Sequence, residues 1–519
     1  MGASQSTPQP AFSDDKMTPY TSNTRAKQSA SELLASLTLK DRPAATASIT
    51  LDQISDWNKD AMSLPQSRLA QTTLHKADIL SSMISRQATV DNIHLFNVKL
   101  STENDLVSNQ KSSGRCWLFA MTNMIRLQMT RKYNLDKGFE LSQSYLFFWD
   151  SLSKANWFLE NMIDLADKDL NDHVVQYLLA EPQNDGGQWD MEVNLVQHFG
   201  LVPQHVFPES WNSSNSSKLD AILTSKLREY TLELRSLYND ALRSLQDVQT
   251  KTVQEKRALA QSAVRKRKQE QMSEVYRILA ISCGTPPQPN EPFTWEYYTK
   301  DKKYHKVTST PKDFARDYCL IDVSKSISLI HDPRNKHGLY TVERLGNVVG
   351  GRPVLYVNTS IDDLKNVAIK LLQSDTPVWF GCDVGKSYSS ALGILDPNLY
   401  DLEQAFGTSV KMTKEQRIAS GDSSMTHAMV LTGVHLNDKG EPVRWRVENS
   451  WGPEACKEGY FVMTDKWFEE NVFQIVADRT IVPSRLRKVF ESNNPTVLPC
   501  DDAFGSLATS TSRRCLGVI

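Results

Sequence analysis

Helical periodicity occupies the first half of this chain and strand alternation the second, and that order most restricts the fold. Apolar residues recur at helical steps over Ser55–Leu80, 116–131, 142–155 and 158–180, with one alternating run at Leu95–Leu100. Residues 354–385 and 425–480 alternate like antiparallel strands, interrupted by one helix at 361–374. Helices first and strands later predict an α+β domain over 46–508, two layers with a cleft between them. Residues 214–280 contain neither Gly nor Pro and carry Leu, Ile, Val and Tyr at three- and four-residue steps, so they predict a long helical insertion. Residues 1–45, rich in Ser, Thr, Ala, Gln and Pro, predict a flexible tail.

The bulk properties exclude several classes. The 59 basic and 61 acidic residues nearly cancel, so no global attraction to nucleic acid or membrane follows. With 40% hydrophobic residues and no apolar run near the ~18 that span a bilayer, a soluble globular chain is expected. Seven scattered cysteines argue against a disulfide framework and for a reducing compartment, the cytoplasm, with a mitochondrial form as the alternative. Asp14 and Asp15 weaken a mitochondrial presequence, and the first 45 residues hold no apolar core of a secretory signal. Met1-Gly2-Ala-Ser-Gln-Ser6 fits an N-myristoylation acceptor at Gly2; one such chain gives only weak, reversible membrane association.

The chemistry concentrates in three segments. In Gln110-Lys-Ser-Ser-Gly-Arg-Cys116-Trp117 a Gly-containing loop becomes an apolar helix, placing Cys116 in the first helical turn. A thiol there meets unpaired backbone N–H groups and the positive end of the helix dipole, both of which favour thiolate. Gln110 could donate to an oxyanion formed near that sulfur. His427 opens an apolar strand, and Asn449 ends another in Asn449-Ser-Trp451-Gly452. The turn-like Asn437-Asp-Lys-Gly440 between them makes the strands hairpin neighbours, so His427 and Asn449 can lie close. A thiolate nucleophile, an imidazole to carry protons and an amide oxygen to orient the ring form a catalytic set. A buried hydrophobic Cys, a core His and an ordinary turn are the bland readings of each segment alone.

Gln110, Cys116-Trp117, His427 and Asn449-Ser-Trp-Gly resemble the motifs of papain-like cysteine peptidases, and Asp185-Gly186-Gly187-Gln-Trp189 resembles the segment lining their substrate cleft. His and Asn follow the Cys by 311 and 333 positions, against about 130–150 in secreted papains. Ser113 stands where those relatives carry a disulfide Cys. That length, with Lys111-Ser-Ser-Gly-Arg-Cys-Trp and Val378-Trp-Phe-Gly-Cys-Asp-Val-Gly-Lys386, is similar to the bleomycin hydrolase family over roughly residues 50–508. The resemblance implies a papain-like two-layer fold and cysteine aminopeptidase activity on peptides, with bleomycin-type amides or homocysteine thiolactone as further substrates. It assigns Cys116 as nucleophile, His427 as acid–base, Asn449 as orienter, Gln110 to the oxyanion, and Gly186, Gly187 and Trp451 to the cleft.

It also implies a homohexamer whose inserted helices line a basic channel that binds nucleic acid. Seven basic and two acidic residues fall in 251–270, among them Arg265, Lys266, Arg267 and Lys268, with no aromatic residue for base stacking; binding to single or double strands would be backbone-driven. The bland reading of this run is a solvated helix face. No HExxH or CxxC spacing exists, so neither metal nor other cofactor is expected. A nucleic-acid-binding protein on a papain-like scaffold and a thiol acyltransferase remain the alternatives. In the resembling family the chain ends in an arm whose terminal carboxylate closes the cleft. Here Leu498–Ala508 resembles that arm, but Thr509–Ile519 follow it, so trimming by Cys116 to an end at Ala508 is expected.

Overall fold

The computed structural model describes residues 48–509 apart from 104, 105, 137 and 321. Two compact units are present. The first contributes helices α1 (Leu51–Ser63) and α2 (Pro65–Leu74), separated at the Leu64–Pro65 step because Pro cannot continue the preceding helix. The second, from Ala77 onward, holds everything below.

Its helical layer is built from α3 (Cys116–Tyr133), α4 (Gln143–Asp164) and α5 (Trp189–Phe199). α4 runs unbroken where the sequence suggested two helices meeting at 155–158, since Ala-Asn-Trp-Phe contains no breaker and its apolar spacing continues. The insertion folds as α6 (Ser217–Ser244) and α7 (Val253–Cys283), which pack on each other and on α4; Thr252 and Glu255 form a reciprocal cap at the start of α7. Helix α8 (Ile361–Gln373) follows later in the chain.

The strands are β1 (Val98–Lys99), β2 (Phe293–Tyr298), β3 (Tyr304–Ser309), β4 (Ser326–Ile330), β5 (Gly338–Val342), β6 (Tyr356–Asn358), β7 (Val378–Cys382), β8 (Tyr388–Ser389), β9 (Ile394–Leu395), β10 (His427–Leu436), β11 (Pro442–Glu448), β12 (Tyr460–Thr464), β13 (Val472–Asp478) and β14 (Thr496–Leu498). Strands β2 and β3 pair alone; the rest form one sheet in the order β14-β5-β6-β4-β13-β7-β10-β11-β12-β9-β8, with β1 on β10. Its central pairings are antiparallel, including His427 opposite Cys382 and Val430 opposite Glu448. Leu95–Leu100 yields only the two residues of β1.

Both faces of the sheet are covered, so its central strands are buried along their length. Alternation still sorts the side chains: Trp379, Ala428 and Val430 join the core shared with Trp117, Phe147 and Phe148 of the helical layer. Phe380, Cys382, Met429 and Leu431 face the other way, into a second core with Leu364, Leu371 and Leu372 of α8. Helix α3 packs on β10, which brings the helical N-terminus against the beginning of that strand.

Candidate active site

Cys116 is the first residue of α3, and the preceding Arg115 provides no side-chain cap. The backbone N–H groups of Cys116 and Trp117 lie against the sulfur, as does that of Ala428, the residue after His427. The N-terminus of α3 therefore meets the start of β10, with Cys116 2% and His427 3% exposed. Burial pushes the Cys116 thiol up to about 12, and those N–H groups pull against it. Burial also holds the His427 imidazolium down at about 4, opposed by its bond to Asn449.

That bond joins His427 Nε2 to Asn449 Oδ1 at 2.8 Å. The Ser450 N–H donates to the same Oδ1 at 2.8 Å, which identifies that end of the amide as oxygen. An acceptor on Nε2 means that Nε2 carries the ring proton, leaving Nδ1 as the nitrogen that can exchange one. The Trp451 ring stands 5.3 Å from the imidazole, tilted by 40°.

Gln110 is fully buried and ties the two layers together. Its Nε2 donates to Ser113 C=O at 2.6 Å, and its Oε1 accepts from the Ser450 hydroxyl at 2.6 Å, so one amide N–H remains beyond the Ser113 bond. Ser113 itself donates to Gln110 C=O at 2.6 Å and accepts from Arg115 Nε at 2.9 Å; hydrogen bonds hold the loop where a disulfide was missing.

The Gly186-Gly187 segment is clipped to α3. Trp117 Nε1 donates to Asp185 C=O at 2.6 Å, and the Asp185 carboxylate accepts from the Gly114 N–H at 2.7 Å and from Ser216. A Cβ on Gly187 would stand 2.4 Å from the Trp117 ring, and one on Gly186 would stand 2.1 Å from the carbonyl oxygen of Leu507. The residues crossing Gly186 belong to the C-terminal segment. Phe504 and Leu507 are fully buried there, and Ala508 is 8% exposed. Gln188 Nε2 and the Tyr356 hydroxyl donate to Phe504 C=O at 3.1 and 3.0 Å, the Ser506 hydroxyl donates to Met425 C=O at 2.7 Å, and Arg334 pairs with Asp502 at 3.0 Å.

The sequence profile of the Peptidase C1-like family matches residues 48–505. The chain belongs to the Peptidase C1-like family. Its relatives include cysteine proteinase 1, mitochondrial, of Saccharomyces cerevisiae, 42% identical over 89% of this chain and 94% of the yeast protein. Human bleomycin hydrolase is 42% identical over 86% of this chain and 95% of its own length. The crystal structure of PepW from Lactobacillus rhamnosis HN001 superposes with a TM-score of 0.81 at 40% identity, covering 89% of this chain and 99% of that one. The protein is thus a papain-like cysteine peptidase with bleomycin hydrolases among its homologues.

In this Peptidase C1-like chain the basic run is not one open cationic face. Arg265 pairs with Glu160 at 2.9 Å, Arg267 with Glu233 at 2.7 Å and with Glu270 at 2.5 Å. Lys268 is buried, bound to Glu160 at 2.5 Å and to Asn156 at 2.7 Å, while Lys266 is exposed. Gly2 and residues 510–519 lie outside the described residues, and Thr509 is the last one described. Among the described residues no cluster of His, Cys, Asp or Glu is placed to hold a metal ion.

Three participants were not foreseen from the sequence. The Ser450 hydroxyl on Gln110, 340 positions away, has no local signal, and the Asp185 carboxylate under Gly114 was legible only as part of the cleft-like segment Asp185–Trp189. Glu192 on α5 is the third. Neither of its buried oxygens has a well-formed hydrogen bond, and its charge would act on Cys116. Burial holds its carboxyl well above the usual range, opposed by the Trp379 indole.

Proposed function

We propose that this cysteine peptidase is an aminopeptidase in which Cys116, His427 and Asn449 carry the reaction. His427 Nδ1 takes the Cys116 thiol proton as the sulfur adds to the carbonyl carbon of the amino-terminal residue, and the oxyanion is held by the Cys116 N–H and the remaining Gln110 amide N–H. His427 gives its proton to the departing amine, then takes one from the water that releases the acyl group. Asn449 keeps the ring in the tautomer and orientation this requires. The 2.8 Å Asn449 bond to Nε2, which leaves Nδ1 for proton exchange, supports these roles.

The aminopeptidase mode rests chiefly on the seat of the C-terminal segment across Gly186. A carboxylate at Ala508 would both end the cleft and attract a substrate ammonium group. The sequence continues to Ile519, so the reading requires Cys116 to remove Thr509–Ile519 in cis. Intact mass of wild type and Cys116→Ala tests this: the variant keeps those eleven residues and the wild type loses them. Two full-length masses would overturn both the trimming and the carboxylate anchor. Turnover of an unblocked aminoacyl fluorogenic amide, absent in Cys116→Ala, tests the nucleophile.

The same reading includes a homohexamer binding nucleic-acid phosphates through the α7 face, with Lys266 the residue of the four to substitute because it is exposed. It places the chain in the cytoplasm; the name of the yeast relative makes the mitochondrion the second compartment to fractionate.

A further inference from the structure

The approach to β1 and the turn before β12 enclose a polar cavity of about 270 Å³ that shares no lining residue with the catalytic set. His94, Lys99, Arg446, Lys457, Glu458 and Tyr460 line it. The three cations are not fully neutralised. Glu103 bridges Lys99 at 2.8 Å and Arg446 at 2.7 Å, whereas Lys457 has no acidic partner among the described residues. The Arg446 guanidinium lies over the Tyr460 ring at 3.5 Å. Lys457 and Tyr460 are presented from one turn, closed by Lys457 N–H to Tyr460 C=O at 3.1 Å and by the reverse bond at 3.0 Å.

Two buried polar atoms beside this cavity are poorly satisfied. The Tyr460 hydroxyl, on a residue only 5% exposed, and His94 Nε2 lack a well-formed hydrogen bond, with Arg446 the group nearest the hydroxyl and the Gly393 backbone beside the imidazole. Such groups cost up to about 1–3 kcal/mol each unless something fills the site. Their chemistry is complementary to one ligand class. An oxyanion offers acceptors to the ammonium, the guanidinium and the phenol, and a P–OH offers a donor to a neutral imidazole. His94 is kept neutral, down at about 4, by burial and by the nearby Lys457 and Arg446 charges.

We propose that this cavity binds a small phosphate-class oxyanion, held by Lys457, Arg446, Lys99 and the Tyr460 hydroxyl, with His94 accepting from its acidic hydrogen. Glu458 in the lining, with Glu103 and the buried Glu448 behind Tyr460, supplies the opposing charge and selects for ligands small enough to stay on the Lys457 side.

Titration calorimetry of the full-length protein with inorganic phosphate, against chloride at matched ionic strength, tests the site. Wild type should give a saturable isotherm that chloride does not reproduce. Lys457→Glu should weaken it by on the order of tenfold or more, the equivalent of one close charge contact. Tyr460→Phe removes only the phenolic oxygen, so it should weaken phosphate several-fold while its phosphate-free Tm is unchanged or higher. A wild type with no saturable heat, or two variants that bind as tightly as wild type, would overturn the proposal. A Tyr460→Phe protein that loses Tm without phosphate would make the hydroxyl structural and remove it from the site.

Discussion

Gly186→Ala perturbs the closure of the cleft at a single atom. The added Cβ would fall 2.1 Å from the Leu507 carbonyl oxygen, where ordinary contact begins near 3.4 Å, so the segment must recede by roughly 1 Å. It cannot leave altogether at that cost. Buried Phe504 and Leu507 each contribute about 1.5–3 kcal/mol, and the Arg334–Asp502 pair and the bonds to Phe504 C=O anchor the chain upstream. The displacement is therefore local to Leu507–Ala508, the part that would meet a substrate amine. A 1 Å misplacement of a positioning group costs about 10²-fold in rate. We expect kcat/KM for unblocked aminoacyl amides to fall by about that factor, N-acetylated substrates to hold or improve, and Tm to change little. A chain ending at Pro499 supplies the control: there Gly186→Ala should have little further effect. An unchanged ratio of unblocked to blocked turnover, or an equal loss in the shortened chain, would refute the reasoning.

Glu192→Met should stabilise the protein by about 1–3 kcal/mol near neutral pH, since it replaces a buried carboxyl that lacks good partners. The folded carboxyl is raised, so its cost grows as pH rises above the unfolded value near 4.3; urea denaturation at pH 4 and pH 7 should show the gain mainly at pH 7. Gln110→Ala should lower kcat by about 10²–10³-fold through loss of the oxyanion donor, as steady-state kinetics would show; a change within threefold would remove that role. In Cys116→Ala, with no thiol to share the proton, His427 is neutral when folded down to about 4 but protonates below 6.5 when unfolded. Stability is thus lost as pH falls through that window, by about 3 kcal/mol at 1.36 kcal/mol per pH unit. Adding His427→Gln should remove most of this slope in chemical denaturation between pH 6.5 and pH 4, and an unchanged slope would show that other groups carry it.

Short-range pattern determined much of this protein by itself. The loop-to-helix change at Cys116, the entry of β10 at His427 and the Asn437–Gly440 turn before β11 are encoded by neighbours in the chain, so their elements were legible from spacing alone. Helix hydrogen bonds reach four residues and strand alternation repeats every two, which is why such signals are local. The choice of partner was not local. Gln110 met Ser450, Glu160 drew Arg265 and Lys268 out of a run that reads as cationic, and Glu192 was buried within electrostatic reach of Cys116 with no ion pair of its own among the described residues. The seat of Leu507 on Gly186 belongs to the same kind, joining positions 321 residues apart. Each depends on which faces the packed layers bring together, a property of three-dimensional packing that hydrophobic periodicity does not contain.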